Sequence, residues 1–117
     1  MINGIGAALM ALQAFGTKQE VTSNNVANVN TDGFKKSRAD FQEADPSGVI
    51  VSISRVNTPG SPLPPDENTG EPRETSNVDI GEETVDLMTT KFAYTANLKT
   101  LQTTNDMIGT VIDILDK

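Results

Sequence analysis

Asp79, Glu82, Glu83 and Asp86 place four carboxylates within eight residues. They are the densest set of groups in the chain that could hold a cation or move a proton. Their spacing also has a plainer use. Asp79 with Glu82 three residues on makes a capping-box-like helix start, and Glu83 and Asp86 follow in the early turns, where the helix dipole favours negative charge. Helix-start electrostatics therefore accounts for all four without a ligand. The chain has no cysteine and no histidine, which excludes thiolate and imidazole metal sites and catalysis by either side chain. No set of nucleophile, base and oxyanion donor can be assembled from the remaining residues. The expectation is a protein that is not an enzyme, with no catalytic residue, no metal site and no cofactor.

A second concentration of hydrogen-bonding groups is Ser23-Asn24-Asn25-Val26-Ala27-Asn28-Val29-Asn30-Thr31-Asp32-Gly33-Phe34. Asparagine is a poor helix former because its amide competes for nearby backbone groups, so Asn24, Asn25, Asn28 and Asn30 should mark a fraying helix end or a turn. Asp32-Gly33 then supplies a turn, with Gly33 free to take a positive φ. Yet Val26 and Val29 keep an apolar rhythm, and Asn24 and Asn28 stand four apart on one helical face. Asparagines so placed could also bond neighbouring chains and set their register. On composition alone, capping is the better account.

These groups need elements to carry them, and the clearest periodic signal lies in the last part of the chain. Steps of four and three from Leu87 give Leu87, Lys91, Tyr94, Leu98, Leu101, Asn105, Ile108, Ile112 and Leu115. Seven of these nine positions are apolar, and mostly Thr, Asn, Asp and Lys lie between them. That is the seam of a helix made to lie along another helix, with Lys91 and Asn105 as polar positions that set register. At the other end, Ile2, Ile5, Leu9 and Leu12 repeat the spacing among Ala7, Ala8, Ala11 and Ala14, which are strong helix formers. The register runs on through Gly16, Gln19 and Ser23 to Val26 and weakens after Phe15. Ile5, Leu9, Leu12, Val26, Leu87, Tyr94, Leu98, Leu101, Asn105, Ile108, Ile112 and Leu115 are the expected helix–helix and assembly interface.

Between the helices, Phe34–Phe41 and the β-branched run Val49–Val56 read as two strands joined by the turn Asp45-Pro46-Ser47-Gly48. Residues 57–75 hold five of the six prolines and read as a semi-extended linker. The fold class is therefore mainly α with a small β part. Long terminal helices pair as an antiparallel or coiled-coil-like hairpin, with a β-hairpin and proline-rich loop between them. Segments 1–33, 34–75 and 76–117 form one domain.

The formal charge of −7 disfavours nucleic acid, whose phosphates need a basic face. No apolar run approaches the roughly 18 residues of a membrane span, so membrane insertion is not expected. Met1–Met10 has no basic residue ahead of its modest apolar stretch and does not read as a cleavable signal. The absence of cysteine leaves the compartment open. One two-helix hairpin with a small β appendage buries too little to offset the ordering of its helices, so the missing burial must come from other subunits.

The asparagine-rich stretch Ser23–Lys35 closely resembles the N-terminal signature of the bacterial flagellar rod and hook family. Ser76-Asn77-Val78-Asp79, Glu82-Glu83 and Ala93-Tyr94-Thr95-Ala96-Asn97 resemble its C-terminal signature. Asn24, Asn25, Asn28, Asn30, Gly33, Asn77 and Asp79 are the motif positions. Phe34 stands where the family commonly has tyrosine, and Lys91-Phe92 where an arginine is more usual. The short middle segment and Gly48-Val49-Ile50-Val51 most resemble the small proximal-rod proteins. The resemblance implies an axial subunit of the basal-body rod, the periplasm-spanning drive shaft needed for motility. Its partners would be other rod subunits, itself, and the flagellar type III export apparatus that delivers it without signal cleavage. The rival reading is a stand-alone helical-hairpin secreted protein or export adaptor outside the rod.

Overall fold

The computed structural model describes the backbone of residues 2–116 and the side chains of residues 4–116, so the side chain of Ile2, first in the early periodicity, lies outside the described residues. Helix α1 spans Ile2–Ala27 and helix α2 spans Ile80–Leu115. Between them lie strands β1, Ser37–Glu43, and β2, Val49–Arg55, then the two-residue strands β3, Pro62–Leu63, and β4, Arg73–Glu74. The chain is mainly helical with a small β part, and its extents are 80 × 25 × 18 Å.

Helix α1 does not weaken after Phe15 but continues to Ala27. Tertiary contact overrides the poor propensity of its second half. Phe15 meets Phe41 of β1 edge to face, with ring centroids 5.3 Å apart, and the Lys18 ammonium stands 5.7 Å from the Phe41 ring centre. Thr22 and Asn25 are buried. The helix closes where the asparagines predicted. The Asn28 N–H bonds the carbonyls of Asn24 and Asn25, the Asn28 amide adds a bond to the Asn24 carbonyl at 2.9 Å, and Gly33 takes φ +70° to turn the chain.

Helix α2 begins at Asp79, whose carboxylate accepts from the N–H groups of Gly81 and Glu82. Its 36 residues reach about 54 Å. Threonine is a mediocre helix former, yet this helix is rich in it. Thr84, Thr95, Thr100, Thr103, Thr104 and Thr110 each turn the hydroxyl back onto the carbonyl four residues earlier, which satisfies the group inside the helix.

The helices run antiparallel. Lys18 faces Asp86 at 3.9 Å, the Asn97 amide donates to the Ala8 carbonyl at 2.8 Å, and Ile5 and Leu9 lie beside Leu101 and Asn105. Strands β1 and β2 pair antiparallel from Ser37↔Arg55 to Glu43↔Val49. The first strand starts at Ser37 rather than Phe34, because the Phe34 N–H is still bonded to Thr31 in the preceding turn. The hairpin lies back along α1, with Gly48 of its tip against the Met10 side chain. Within the proline-rich linker, β3 and β4 form a small ribbon too short to leave a sequence pattern.

The interior is mostly polar. Among the described residues the buried apolar side chains are Ala8 and Ala14, whereas Thr22, Asn25, Ser76, Glu83 and Thr90 are buried polar ones. Helix α2 meets α1 along its Glu83, Thr90 and Asn97 side, about a third of a turn or less from much of the apolar seam.

Candidate assembly surface and polar elbow

Where α1 ends, the hairpin begins and α2 starts, three segments are tied by amides. Asn25 is 2% exposed. Its carbonyl accepts the Ser37 N–H at 3.0 Å, and its NH2 donates to the Ser37 carbonyl at 2.8 Å and to the Glu83 carboxylate at 3.2 Å. One side chain thus completes both backbone groups of the first residue of β1 and reaches α2. Asn77 ties the two ends of the hairpin together on the other side of the elbow. Its carbonyl accepts the Lys36 N–H at 2.7 Å, and its NH2 donates to the carbonyls of Val56 and Thr58 at 2.8 and 2.9 Å.

Charge reinforces these ties. Lys36 sits 2.8 Å from Glu82 and 3.7 Å from the buried Glu83. The hydrogen bond to Glu82 and the surrounding Glu82, Glu83 and Asp79 charges raise the Lys36 pKa against the opposing effect of burial. Glu74 pairs with Lys35, which holds its carboxyl below the ordinary range. Asp32 pairs with Arg73, and the Gly33 N–H bonds the Glu74 carbonyl at 2.8 Å.

Asp79, Glu82, Glu83 and Asp86 are therefore each engaged within the chain. Asp79 caps α2, Glu82 takes Lys36, Glu83 takes Asn25 and Lys36, and Asp86 faces Lys18. Among the described residues no group of three or more potential ligands converges on one point. Asn24 and Asn30 are exposed, and Asn28 is engaged with its own helix end.

The second feature lies between the two helices. An open groove of about 360 Å³ is lined by Phe15, Gly16, Gln19, Leu87, Met88, Thr90, Lys91 and Tyr94. Another, of about 380 Å³, is lined by Ile5, Leu9, Leu101, Gln102 and Asn105. At 100° per residue, Leu12 and Leu98 fall between them on the same side, so the two grooves are parts of one apolar trough. The structure thus brings Ile5, Leu9, Leu12, Leu87, Tyr94, Leu98, Leu101 and Asn105 to one face. Ile5, Leu12, Val26, Leu87, Leu101 and Ile108 are half-buried, while Leu9, Tyr94, Leu98, Asn105, Ile112 and Leu115 are exposed. Val26 stands apart at the elbow end.

Lys36, Ser76, Thr90 and Asn97 do not stand out as individual sites in the sequence. Asn97 had a usable signal, since it lies four residues from Ala93 and four from Leu101 on the inward side of α2. Lys36 had none, because its role depends on the hairpin bringing it to Glu82, 46 positions away.

Two family models match at opposite ends of the chain. Residues 5–35 match the flagella basal body rod protein model, and residues 74–114 match the flagellar basal body rod FlgEFG protein C-terminal model. The chain is 39% identical over 59 residues to the flagellar hook protein FlgE of Borreliella burgdorferi, covering 50% of this chain and 12% of that protein. It is 44% identical over 43 residues to the flagellar basal-body rod protein FlgG of Bacillus subtilis, covering 37% of this chain and 16% of that one. With the flagellar hook protein FlgE of Helicobacter mustelae it shares 46% identity over 54 residues, or 46% and 12% of the two chains. The matches thus span less than a fifth of each relative's length.

Proposed function

The chain belongs to the flagellar rod and hook axial family, and from that premise we propose that it is a structural subunit of the basal-body rod. It assembles with other axial subunits and with itself through its terminal helices, and the resulting shaft is needed for motility. The observation that carries this reading is the pairing of the two matched end segments. Residues 5–35 and 74–114 lie side by side as one antiparallel unit whose apolar trough is left unfilled.

The physical case rests on what the monomer lacks. Long helices are stabilised in proteins mainly by burying an apolar face, and here the buried apolar side chains among the described residues are two alanines. Neighbouring helices supply the missing contact. The elbow holds the hairpin against α1 and leaves the grooves between the helices open, so that the helix pair is free to enter a shared inner layer. Delivery through the flagellar type III apparatus fits an axial subunit. Helices α1 and α2 contain no stretch long and apolar enough to cross a membrane.

The test is location and requirement together. Antibody or tag detection should find the protein in purified hook–basal bodies, and deletion of its gene should abolish swimming. A protein confined to the soluble secreted or cytoplasmic fraction in a normally motile deletion strain would sink the proposal and favour the stand-alone hairpin.

A further inference from the structure

Gly16 stands in the interior of α1, where glycine is less favourable than alanine. A Cβ built there meets nothing within 4 Å, so no contact within the chain requires the smaller residue. What the glycine leaves is room. It lines the open groove of about 360 Å³, a volume within the usual range for small-molecule sites. Phe15, Leu87, Met88 and Tyr94 make the walls apolar and partly aromatic, and Lys91 is the charged group among the lining residues. We propose that this groove binds a single-chain amphiphile with an anionic head, of the medium-chain alkyl carboxylate class. Its tail lies over Gly16 and its head at Lys91.

Three observations set the chemistry of the guest. The first is length. From Leu87 to Tyr94 the groove follows about two turns of α2, roughly 10 Å, and an extended chain of about eight to ten carbons spans that distance. The second is charge. Lys91 has no ion-pair partner among the described residues, and a carboxylate supplies one. The whole chain, at a formal charge of −7, repels anions in general, so a preference for an anionic head comes from Lys91 and not from the surface at large.

The third is Thr90. Its side chain is 4% exposed in the groove wall, and its hydroxyl has no hydrogen-bond partner among the described residues. Threonine in a helix has two χ1 rotamers open to it. A turn between them offers the hydroxyl to an acceptor held beside Lys91.

The site is a property of one helix pair, so it stands or falls apart from the axial-subunit reading. The full chain, labelled with 13C at its methionine methyls, is titrated with sodium decanoate and followed by NMR. The Met88 methyl should shift and saturate with a Kd on the order of 0.1 mM. The Met107 methyl, 53% exposed on the same helix but outside the groove, should not move. Decyltrimethylammonium should bind at least about tenfold more weakly, and Lys91→Gln should weaken decanoate by about tenfold. Gly16→Leu puts a side chain where the tail lies and should abolish saturation while the helix content by circular dichroism is kept. Equal affinity for the two heads, a Met107 shift that follows Met88, or unchanged affinity in Lys91→Gln or Gly16→Leu overturns the site. Flotation with phosphatidylglycerol vesicles at a tighter apparent affinity than decanoate overturns it as well, because the surface would then be reading a bilayer.

Discussion

The elbow and the trough are built on opposite terms. At the elbow, Asn25 and Asn77 satisfy backbone groups of Lys36, Ser37, Val56 and Thr58, and the charged side chains Lys36, Glu82 and Glu83 complete one another. In the trough, apolar side chains of two helices form a wall with nothing against it. Hydrogen bonds are directional and can be completed by few residues, so a short chain can finish its elbow alone. Burial needs area, which a single helix pair lacks. The contrast teaches that the elbow specifies the shape of the chain, while the trough leaves apolar surface that the chain itself does not cover.

The largest effect on the isolated subunit should come from Asn25→Ala. It removes three bonds and leaves the Ser37 backbone groups and the Glu83 carboxylate without this partner. Buried groups left unsatisfied cost about 1 to 3 kcal/mol each, so a loss of about 3 kcal/mol is expected. Hydrogen exchange at the Ser37 amide should accelerate about a hundredfold, at about 1.4 kcal/mol per tenfold. Unchanged protection would mean that the elbow does not hold the subunit together.

Leu98→Asp inverts the pattern. Leu98 is 37% exposed, so the monomer should lose about 1 kcal/mol or less. Assembly and swimming should fail, because a neighbouring helix would have to desolvate the carboxylate. Changes in the proline-rich loop should be milder on both counts. Ile108→Asp should behave like Leu98→Asp, and Asn105→Leu should alter partner or stoichiometry if Asn105 sets register. Normal motility for Leu98→Asp, in a strain that needs the protein to swim, would erase the contrast between the two regions.

Much of this division was legible in the sequence. The periodicities of Ile5–Leu12 and Leu87–Leu115 marked both helices, and Asp79 marked where the second begins. The β-branched run from Val49 marked the hairpin. What was not legible depended on distant contacts. Nothing local shows that the hairpin sustains α1 beyond Phe15, or that Asn25 and Glu83, 58 positions apart, meet in a buried pair. The seam residues pointed to a helix–helix surface, but spacing cannot say which flank faces the partner helix in the same chain. A rotation of about one residue leaves Glu83, Thr90 and Asn97 inside and much of the seam open.

Acid and alkali should loosen the elbow while sparing the trough, which has mainly apolar walls. The Glu74 carboxyl is held below its ordinary 4.5 by Lys35, so its contribution is present above that value and is lost as pH falls through the lowered one. Lys36 is raised above 10.5, chiefly by Glu82, so its contribution is complete below that value and is lost as pH climbs through the raised one. Both pairs are partly exposed, and the expected changes are small. Amide exchange of residues 33–37, corrected for intrinsic rates, should show protection across the middle of the range and falling at each end. A protection profile flat through acid would remove Glu74 from the elbow.

Thr90 gives the finest comparison, because it is a polar group that the elbow's logic does not reach. It is 4% exposed, lies in the wall of the trough, and its hydroxyl has no hydrogen-bond partner among the described residues. Six other threonines of α2 bond back to their own helix, so the orphaned hydroxyl is a property of this position and not of threonine in this helix. Thr90→Val keeps the side-chain shape and removes the unmet group, which should raise stability by about 1 kcal/mol. A thermal melt followed by circular dichroism at fixed protein concentration measures the change. Should Thr90→Val instead destabilise the isolated chain by as much, the hydroxyl has a partner in solution, and the trough wall is as fully bonded as the elbow.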